Sequence, residues 1–301
     1  KQAIQELSKL VENATTMLSG EALKKEYRSV LGDNPNTMDK KFYGNSATGH
    51  SIKDEAHGTH VSGIIAADRT NGIGINGAAN NVKIMAIRNT PNGDEYDKDV
   101  ALGVYYAVDN GAKVINMSFG KQFSPHSEWV RDAIAYAAKK DVLIVAAAGN
   151  DGKNTDEINY FPNDQINNGD EVSNTFLKVG AIGPKYSSTL VAEYSNYGKN
   201  TVDVFAPGSQ IYSTYPKDKY EFASGTSMAA PLVAGVAALV FSQYPNLSAA
   251  QVKQILITSG ITINKKVSLE NGTIVPFSEL SKSGKIVNAY NALIMASKVS
   301  K

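Results

Sequence analysis

Short apolar runs that alternate with helical patterns constrain the fold of this chain more than any other feature. Residues 142–145 read Val-Leu-Ile-Val, a run typical of a strand that is covered on both faces. Helical patterns between such runs indicate crossover connections and parallel pairing. Strands are predicted at residues 82–87, 113–117, 141–148, 176–182, 202–205 and 211–215. The sequence therefore predicts an α/β fold, with an open, mostly parallel sheet and helices on both faces.

Helices are predicted where apolar residues recur at steps of three and four. These segments are residues 97–109, 128–139, 226–243, 248–259 and 287–297. Residues 1–31 show the same spacing and predict a helical hairpin, whereas residues 32–56 are polar and rich in turn formers. We therefore expect residues 1–56 to be an insertion in the same domain as the core, residues 57–301.

Composition limits the partners of the chain. It has 30 Lys+Arg and 29 Asp+Glu among 301 residues, so its formal net charge is +1. Nucleic acids and anionic membranes usually require a concentrated basic excess, and none is present. We also expect no apolar run of about 18 residues, the length that spans a bilayer. The sequence therefore predicts neither nucleic acid nor membrane as a partner.

Three motifs lie where a strand or a loop leads into a helix, which is where open α/β sheets bind ligands. The first is the sequence His-Gly-Thr-His that begins at His57. A zinc site would require a glutamate between the histidines and a further ligand, and neither is evident. His57 can point out of the core, whereas His60 is expected to pack inside. The motif therefore indicates one available imidazole.

The other two motifs contain Asn150 and Ser227. Asn150 directly follows a buried strand, so its side-chain NH₂ could donate to an oxyanion, although a turn-forming role is the alternative. Ser227 opens an Ala- and Gly-rich helix, where an unpaired backbone N–H and the helix dipole favour a nearby anion. The alternative for Ser227 is an N-cap. The small residues on both sides of Ser227 favour the first role, because they leave space for a substrate.

Together with residues 115–120, these motifs resemble the subtilisin-like serine proteases, the subtilases or peptidase family S8. The resemblance runs from His57 to about Val240. It implies endopeptidase chemistry on a polypeptide substrate, with His57 as general base and Ser227 as nucleophile. It also implies that Asn150 and the backbone N–H of Ser227 donate to the oxyanion.

The resemblance further implies two backbone edges that hold the substrate as an added strand. The first edge comprises Ser118, Phe119 and Gly120. The second edge comprises Ala147, Ala148 and Gly149. Tyr160 is expected at the far end of the first substrate pocket, where its ring would leave room for medium-sized apolar side chains. Acidic residues near Asp97 are expected to favour basic side chains upstream of the cleaved bond.

The triad of the family also contains an aspartate that ends an apolar strand before the histidine motif. Asp33 and Asp39 follow no such strand, and Asp54 is expected to be a helix-start charge. Three explanations remain open: the aspartate precedes this chain, it arrives on a separate segment, or it is lost. Residues 1–56 resemble an insertion that some bacterial subtilases carry, which favours an upstream segment as partner. Loss of the aspartate would instead give a catalytically inactive peptide-binding domain.

Calcium and location are also expectations that come from the resemblance. The loop at residues 68–76 resembles the calcium loop of the family, with oxygen ligands expected from Asn71, Ile73 and Ile75. No cofactor is expected to be required for the chemistry. The family implies an extracellular or cell-envelope location, although residues 1–20 lack the order of a signal peptide.

Overall fold

The computed structural model describes residues 28–49, 55–90, 95–166 and 169–300. It divides into two compact units, Lys1–Ala47 and Thr48–Lys301. The described part of the first unit contains a short 3₁₀ helix, Ser29–Leu31, and an ion pair of 2.7 Å between Arg28 and Asp33. Most of the hairpin predicted over residues 1–31 lies outside the described residues.

The second unit is built on a mostly parallel sheet. The strands of this unit, inside and outside the main sheet, are β1 Val114–Met117, β2 Leu143–Ala147, β3 Phe176–Ile182, β4 Val204–Pro207, β5 Ile211–Tyr215, β6 Lys219–Ala223, β7 Ile261–Thr262, β8 Lys266–Ser268, β9 Ile274–Pro276 and β10 Lys285–Ile286. In the described part of the chain the main sheet has six strands in the order β1-β2-β3-β4-β10-β7. Only the β10–β7 pair in it is antiparallel. The predicted α/β class is confirmed.

Helices cover the sheet and begin close to the positions that the periodicity predicts. They are α1 His57–Ala66, α2 Asp97–Asp109, α3 Ser127–Lys139, α4 Thr226–Gln243, α5 Ala249–Ser259 and α6 Ala289–Val299. Most of α4 is buried, and it packs in one core cluster with the apolar side chains of β2, β3 and β4. A β-carbon on Gly235 would lie 2.6 Å from the side chain of Ala78, so only glycine allows this close approach. The packing of α4 on the sheet therefore determines where the first turn of the helix lies.

One expectation about apolar length is wrong. Helix α4 has 18 residues and a mean hydropathy of 1.5, so by length and composition it could cross a membrane. Of that window, 61% is buried inside the protein. The helix is apolar all round because the core surrounds it, which is typical of a central core helix.

One predicted strand also differs from the structure. Residues 82–87 form no strand, and Ile84 and Met85 in this segment are 45% and 41% exposed. A strand requires a partner for its backbone groups, and within the described ranges none lies beside this segment. The strand predicted at residues 211–215 is confirmed as β5, which pairs with β6 in an antiparallel hairpin separate from the main sheet.

The core also contains charged side chains that the apolar patterns do not predict. Asp164, Lys178, Asp203 and Lys253 are buried, and the more exposed Glu171 and Lys282 pair with them at the margin. We call these six residues the buried charge cluster. Asp203 Oδ1 lies 3.3 Å from Lys282 Nζ and 3.8 Å from Lys253 Nζ. Burial lowers the pKa of Lys178 to about 8, although Asp164 and Asp203 oppose this shift. Opposite charges thus accompany each buried ammonium group.

Candidate active site

Ser227 lies in the first turn of α4, beside the end of β1. Its Oγ donates a hydrogen bond to Ser118 O over 3.0 Å, and Ser118 Oγ donates to Ser227 O over 2.8 Å. The N-cap position of α4 is Gly225, so the alternative role of Ser227 as an N-cap is wrong. The pair of reciprocal bonds ties the start of α4 to the residue that follows β1.

Asn150 is held by the same helix start. Its Oδ1 accepts hydrogen bonds from Thr226 N at 2.8 Å and from Thr226 Oγ1 at 2.9 Å. A backbone N–H can only donate, so the amide oxygen faces Thr226 and the Nδ2 group faces away. These bonds reach 76 residues along the chain. A local turn role therefore does not account for the side chain of Asn150.

Two N–H donors lie close to one point beside Ser227. A β-carbon placed on Gly225 would lie 3.6 Å from both Asn150 Nδ2 and Ser227 N. Among the described residues, Asn150 Nδ2 has no hydrogen-bond partner. Donors that are fixed and unused can stabilise a negative oxygen that forms next to the serine. The geometry is therefore that of a candidate oxyanion site.

Asn196 fixes the loop that carries Asn150, and the sequence analysis missed it. Its Nδ2 donates to Ala148 O at 3.0 Å, and its Oδ1 accepts from Asp151 N at 3.1 Å and Lys153 N at 2.9 Å. Asn196 itself is fully buried. The Ser-Asn-Tyr-Gly sequence around it resembles an ordinary turn, so no local signal identifies this contact.

His57 is the first residue of α1 and is exposed at the surface. Protein atoms around the ring nevertheless exclude water, and this desolvation lowers the pKa of His57 below 6.5. The charge of His60 lowers the pKa of His57 further. Within the described ranges, no hydrogen bond joins His57 to Ser227, and no carboxylate is paired with His57. Asp54 lies outside those ranges. The lowered pKa favours the uncharged imidazole at physiological pH, and none of the described residues orients the ring.

His60 has a structural role, as expected. It is buried, and its Nε2 lies 3.1 Å from both Ile211 O and Glu221 O, which belong to the β5–β6 hairpin. Nowhere in the described part of the chain do three or more metal-binding side chains cluster. His60 therefore holds the hairpin against α1.

A cleft of about 220 Å³ runs between the predicted backbone edges. It brings together Phe119, Gly120, Ala147, Gly149, Asn150 and Ser227 with Tyr160, Thr90, Glu95 and Thr226. Ala148 does not line it, because this residue is fully buried and its N–H donates to Val179 O. Ser118 instead supports Ser227 from behind. Most of the predicted substrate edges therefore face one cleft.

The predicted acidic surface for upstream substrate residues does not form around Asp97. Both Glu95 and Asp97 are buried, and Asp97 Oδ1 lies 2.9 Å from Lys121 Nζ. Asp97 also accepts hydrogen bonds from Ser124 Oγ at 2.7 Å and His126 N at 2.9 Å. Asp97 therefore stabilises the cleft wall, in which Glu95 is also buried. Asp99 is half-buried, and Asp94 lies outside the described residues.

A half-buried serine at a helix start, beside two unused N–H donors on a parallel sheet, is typical of serine hydrolases with an α/β fold. The chain belongs to the subtilase family, Peptidase_S8, which it matches over residues 19–281. The resemblance that the motifs predict is confirmed.

Individual relatives support this assignment. The chain is 39% identical over 238 residues to the thermophilic serine proteinase of Bacillus sp. strain AK1, covering 79% of this chain and 52% of that protein. It is 38% identical over 235 residues to the cell wall-associated protease of Bacillus subtilis, covering 78% of this chain and 23% of that protein. A solved protease of Pseudoalteromonas arctica has a TM-score of 0.63 and 32% identity, covering 80% of this chain and 70% of that one. The chain thus spans about half the length, or less, of these first two relatives.

We predict that Asn150→Ala lowers kcat by about 10²- to 10³-fold with little change in KM. This range is known for loss of an oxyanion donor in subtilisin, a member of the same family. The matched variant Asn150→Asp keeps the oxygen that Thr226 binds but removes the donor, so it should lose at least as much. Steady-state kinetics of the protein with its upstream segment, on a peptide substrate, measures both, and an unchanged kcat in either variant contradicts the assignment.

We predict that the pKa of His57 in residues 1–301 lies below 6.5 and rises when a segment supplies a carboxylate to the ring. The neutral imidazole is the base, so activity should fall as pH drops through this pKa. NMR titration of the imidazole protons measures it. A pKa above 6.5 in the isolated chain would show that a carboxylate within residues 1–301 already pairs with His57.

Proposed function

We propose that this chain carries the histidine and serine of a serine endopeptidase that hydrolyses peptide bonds through an acyl-enzyme on Ser227. The observation that carries this proposal is the placement of Asn150 Nδ2 and Ser227 N around one point beside the Ser227 side chain. Because Thr226 anchors the amide oxygen, the NH₂ group of Asn150 is held beside the serine and can donate to a substrate oxygen. The family relatives that are named as proteases support the same reading.

In the proposed reaction, Ser227 Oγ leaves its hydrogen bond to Ser118 O and attacks the carbonyl carbon of the substrate. His57 takes the hydroxyl proton, and the carbonyl oxygen becomes an anion that accepts from Asn150 Nδ2 and Ser227 N. His57 then returns the proton to the leaving amine, which yields the acyl-enzyme. Water, deprotonated by His57, attacks the ester carbonyl, the bond from the acyl carbon to Ser227 Oγ breaks, and His57 returns the proton to Ser227 Oγ.

We further propose that a segment upstream of this chain supplies the aspartate that orients His57. Strand β1 pairs only with β2 in the described part of the chain, and its residues 114–116 are half-buried. The apolar residues 82–87 likewise join no sheet there, with Ile84 and Met85 exposed. A strand that adds to the free edge of β1 would satisfy its backbone groups. It could place a carboxylate at the carboxyl end of the sheet.

A catalytically inactive domain that binds peptides in the same cleft is the second candidate. The observation that favours it is the hydrogen bond of Ser227 Oγ to Ser118 O, with no bond to His57 in the described residues. In this alternative the backbone edges hold a peptide but no bond is cleaved. The two candidates differ in the reactivity of Ser227 and not in the fold.

We also propose an extracellular or cell-envelope location. The support is the similarity to a cell wall-associated protease of Bacillus subtilis. The absence of cysteine from the chain neither favours nor opposes this location, since proteins outside the cell need no disulfide when the core is large enough.

Structural calcium remains a proposal for the loop at residues 68–76. Asn71 Oδ1 accepts a hydrogen bond from Ile73 N at 3.1 Å and keeps a second lone pair for a cation. The expected ligands, Asn71 with the carbonyl groups of Ile73 and Ile75, are all neutral. Calcium affinity increases with the charge of the ligands, so we propose weak binding with a Kd of about 10⁻³ M.

We predict that about 10 mM calcium stabilises the protein by about 1.4 kcal/mol relative to chelator, as expected for that Kd. Thermal unfolding in the two conditions measures the difference. Asn71→Ala should abolish the response to calcium without removing the fold. Identical unfolding temperatures in calcium and in chelator would exclude a site of consequence.

We predict that a fluorophosphonate probe labels Ser227 in the protein that includes the upstream segment, and that Ser227→Ala abolishes labelling. Changing the upstream aspartate to asparagine should slow peptide hydrolysis by about 10⁴-fold, the loss known for this change in a serine protease triad. Residues 1–301 alone should label and hydrolyse correspondingly slowly. Peptide binding without labelling in the longer protein would favour the inactive domain.

A further inference from the structure

The ring of Tyr160 lies between the two backbone edges of the cleft. A β-carbon placed on Gly120 would lie 2.6 Å from Tyr160 Cε1, and one placed on Gly149 would lie 2.4 Å from Tyr160 Cζ. Distances this short mean that neither position tolerates a side chain while the ring is present. The two glycines therefore make room for Tyr160, one on each side of its outer end.

A substrate held as an added strand would send alternate side chains between these edges. Resting on the proposed function, we propose that Tyr160 fills this pocket and restricts the enzyme to peptides with glycine, alanine or serine before the cleaved bond. The ring reaches both Gly120 and Gly149, so it spans the width of the gap and does more than shorten its far end. This substrate class is smaller than the medium-sized apolar residues that the sequence suggests.

The backbone at Tyr160 is held by two sets of contacts. The next residue, Phe161, exchanges two hydrogen bonds of 2.9 Å with Lys121, which follows the first edge. The carbonyl oxygen of Tyr160 accepts a hydrogen bond from Lys178 Nζ at 3.2 Å. Lys178 is only 3% exposed and extends from β3 in the central sheet. Tyr160 is thus attached both to the cleft edge, through Phe161 and Lys121, and to the core, through Lys178.

Lys178 is a positioning residue in this account, since it contacts Tyr160 and not the substrate. Its ammonium group is buried, and the carboxylates of the buried charge cluster offset its charge. Lys253 belongs to the same cluster and is similarly buried, but its ammonium group pairs with Glu171 and Asp203. The two lysines therefore form a matched pair for an experiment, one bonded to Tyr160 and the other not.

The direct test compares two peptide amides that differ only in alanine or phenylalanine before the cleaved bond. It uses the protein with its upstream segment, and rates are normalised to the fraction of Ser227 that a fluorophosphonate labels. We expect wild type to favour alanine by about 10-fold or more in kcat/KM, since a pocket discriminates by about 10- to 200-fold for one methylene. Tyr160→Gly should reverse this preference, and Tyr160→Phe should keep it because the ring remains.

Tyr160→Ser provides the same test if the glycine variant does not fold. Equal cleavage of both peptides by wild type would overturn the proposal, since it would mean that the ring swings out. An unchanged ratio in Tyr160→Gly or Tyr160→Ser would also overturn it. Failure of Ser227 to label at all would instead count against the proposed function, so the two failures are distinguishable.

Lys178→Met tests whether Lys178 holds Tyr160 in place. We expect the preference for alanine over phenylalanine to fall by about threefold or more, whereas Lys253→Met should leave the ratio unchanged even if it lowers stability to the same extent. A purely structural effect would reduce the active fraction and slow both peptides equally. Equal ratios in the two lysine variants and wild type would therefore refute a positioning role for Lys178.

Discussion

The hydrogen bonds from Thr226 to Asn150 Oδ1 are the interaction on which the candidate site depends. They join the first residue of α4 to the loop after β2, two elements that lie far apart in sequence. Because the donor is a backbone N–H, the amide has only one possible orientation, and its NH₂ group must face the cleft side. The direction of this group follows from the packing of α4 and needs no substrate to set it.

Support for this interaction comes from both sides. Buried Asn196 binds the backbone on either side of Asn150 and so fixes the loop, while the paired hydrogen bonds between Ser118 and Ser227 fix the helix start. Both contacts use buried or half-buried polar groups, which cost stability unless they are satisfied. The site is therefore preorganised by its neighbours, among which Ser118 contacts Ser227 Oγ directly and Asn196 acts only through the loop backbone.

Local periodicity predicts much of the fold, because continuous apolar runs and three-four spacing are properties of each element alone. Helix α4 and strands β2 and β3 follow this rule. Residues 82–87 do not, since an apolar run becomes a strand only when a neighbour pairs with it. The role of Asn196 was missed for a similar reason, because its partners lie more than 40 residues away. The burial of Lys178 could not be predicted from local sequence, since it depends on carboxylates that other parts of the chain contribute.

Candidate residues His57, Asn150 and Ser227 could be proposed from their motifs, but the orientation of their side chains required the tertiary contacts. The most direct test of the account is a crystal structure of the protein with its upstream segment, inhibited by a peptide boronate. We predict a bond from boron to Ser227 Oγ and one boronate oxygen within about 2.7–3.1 Å of both Asn150 Nδ2 and Ser227 N. A boronate oxygen that contacts neither donor, or a peptide bound without a bond to Ser227, would contradict it.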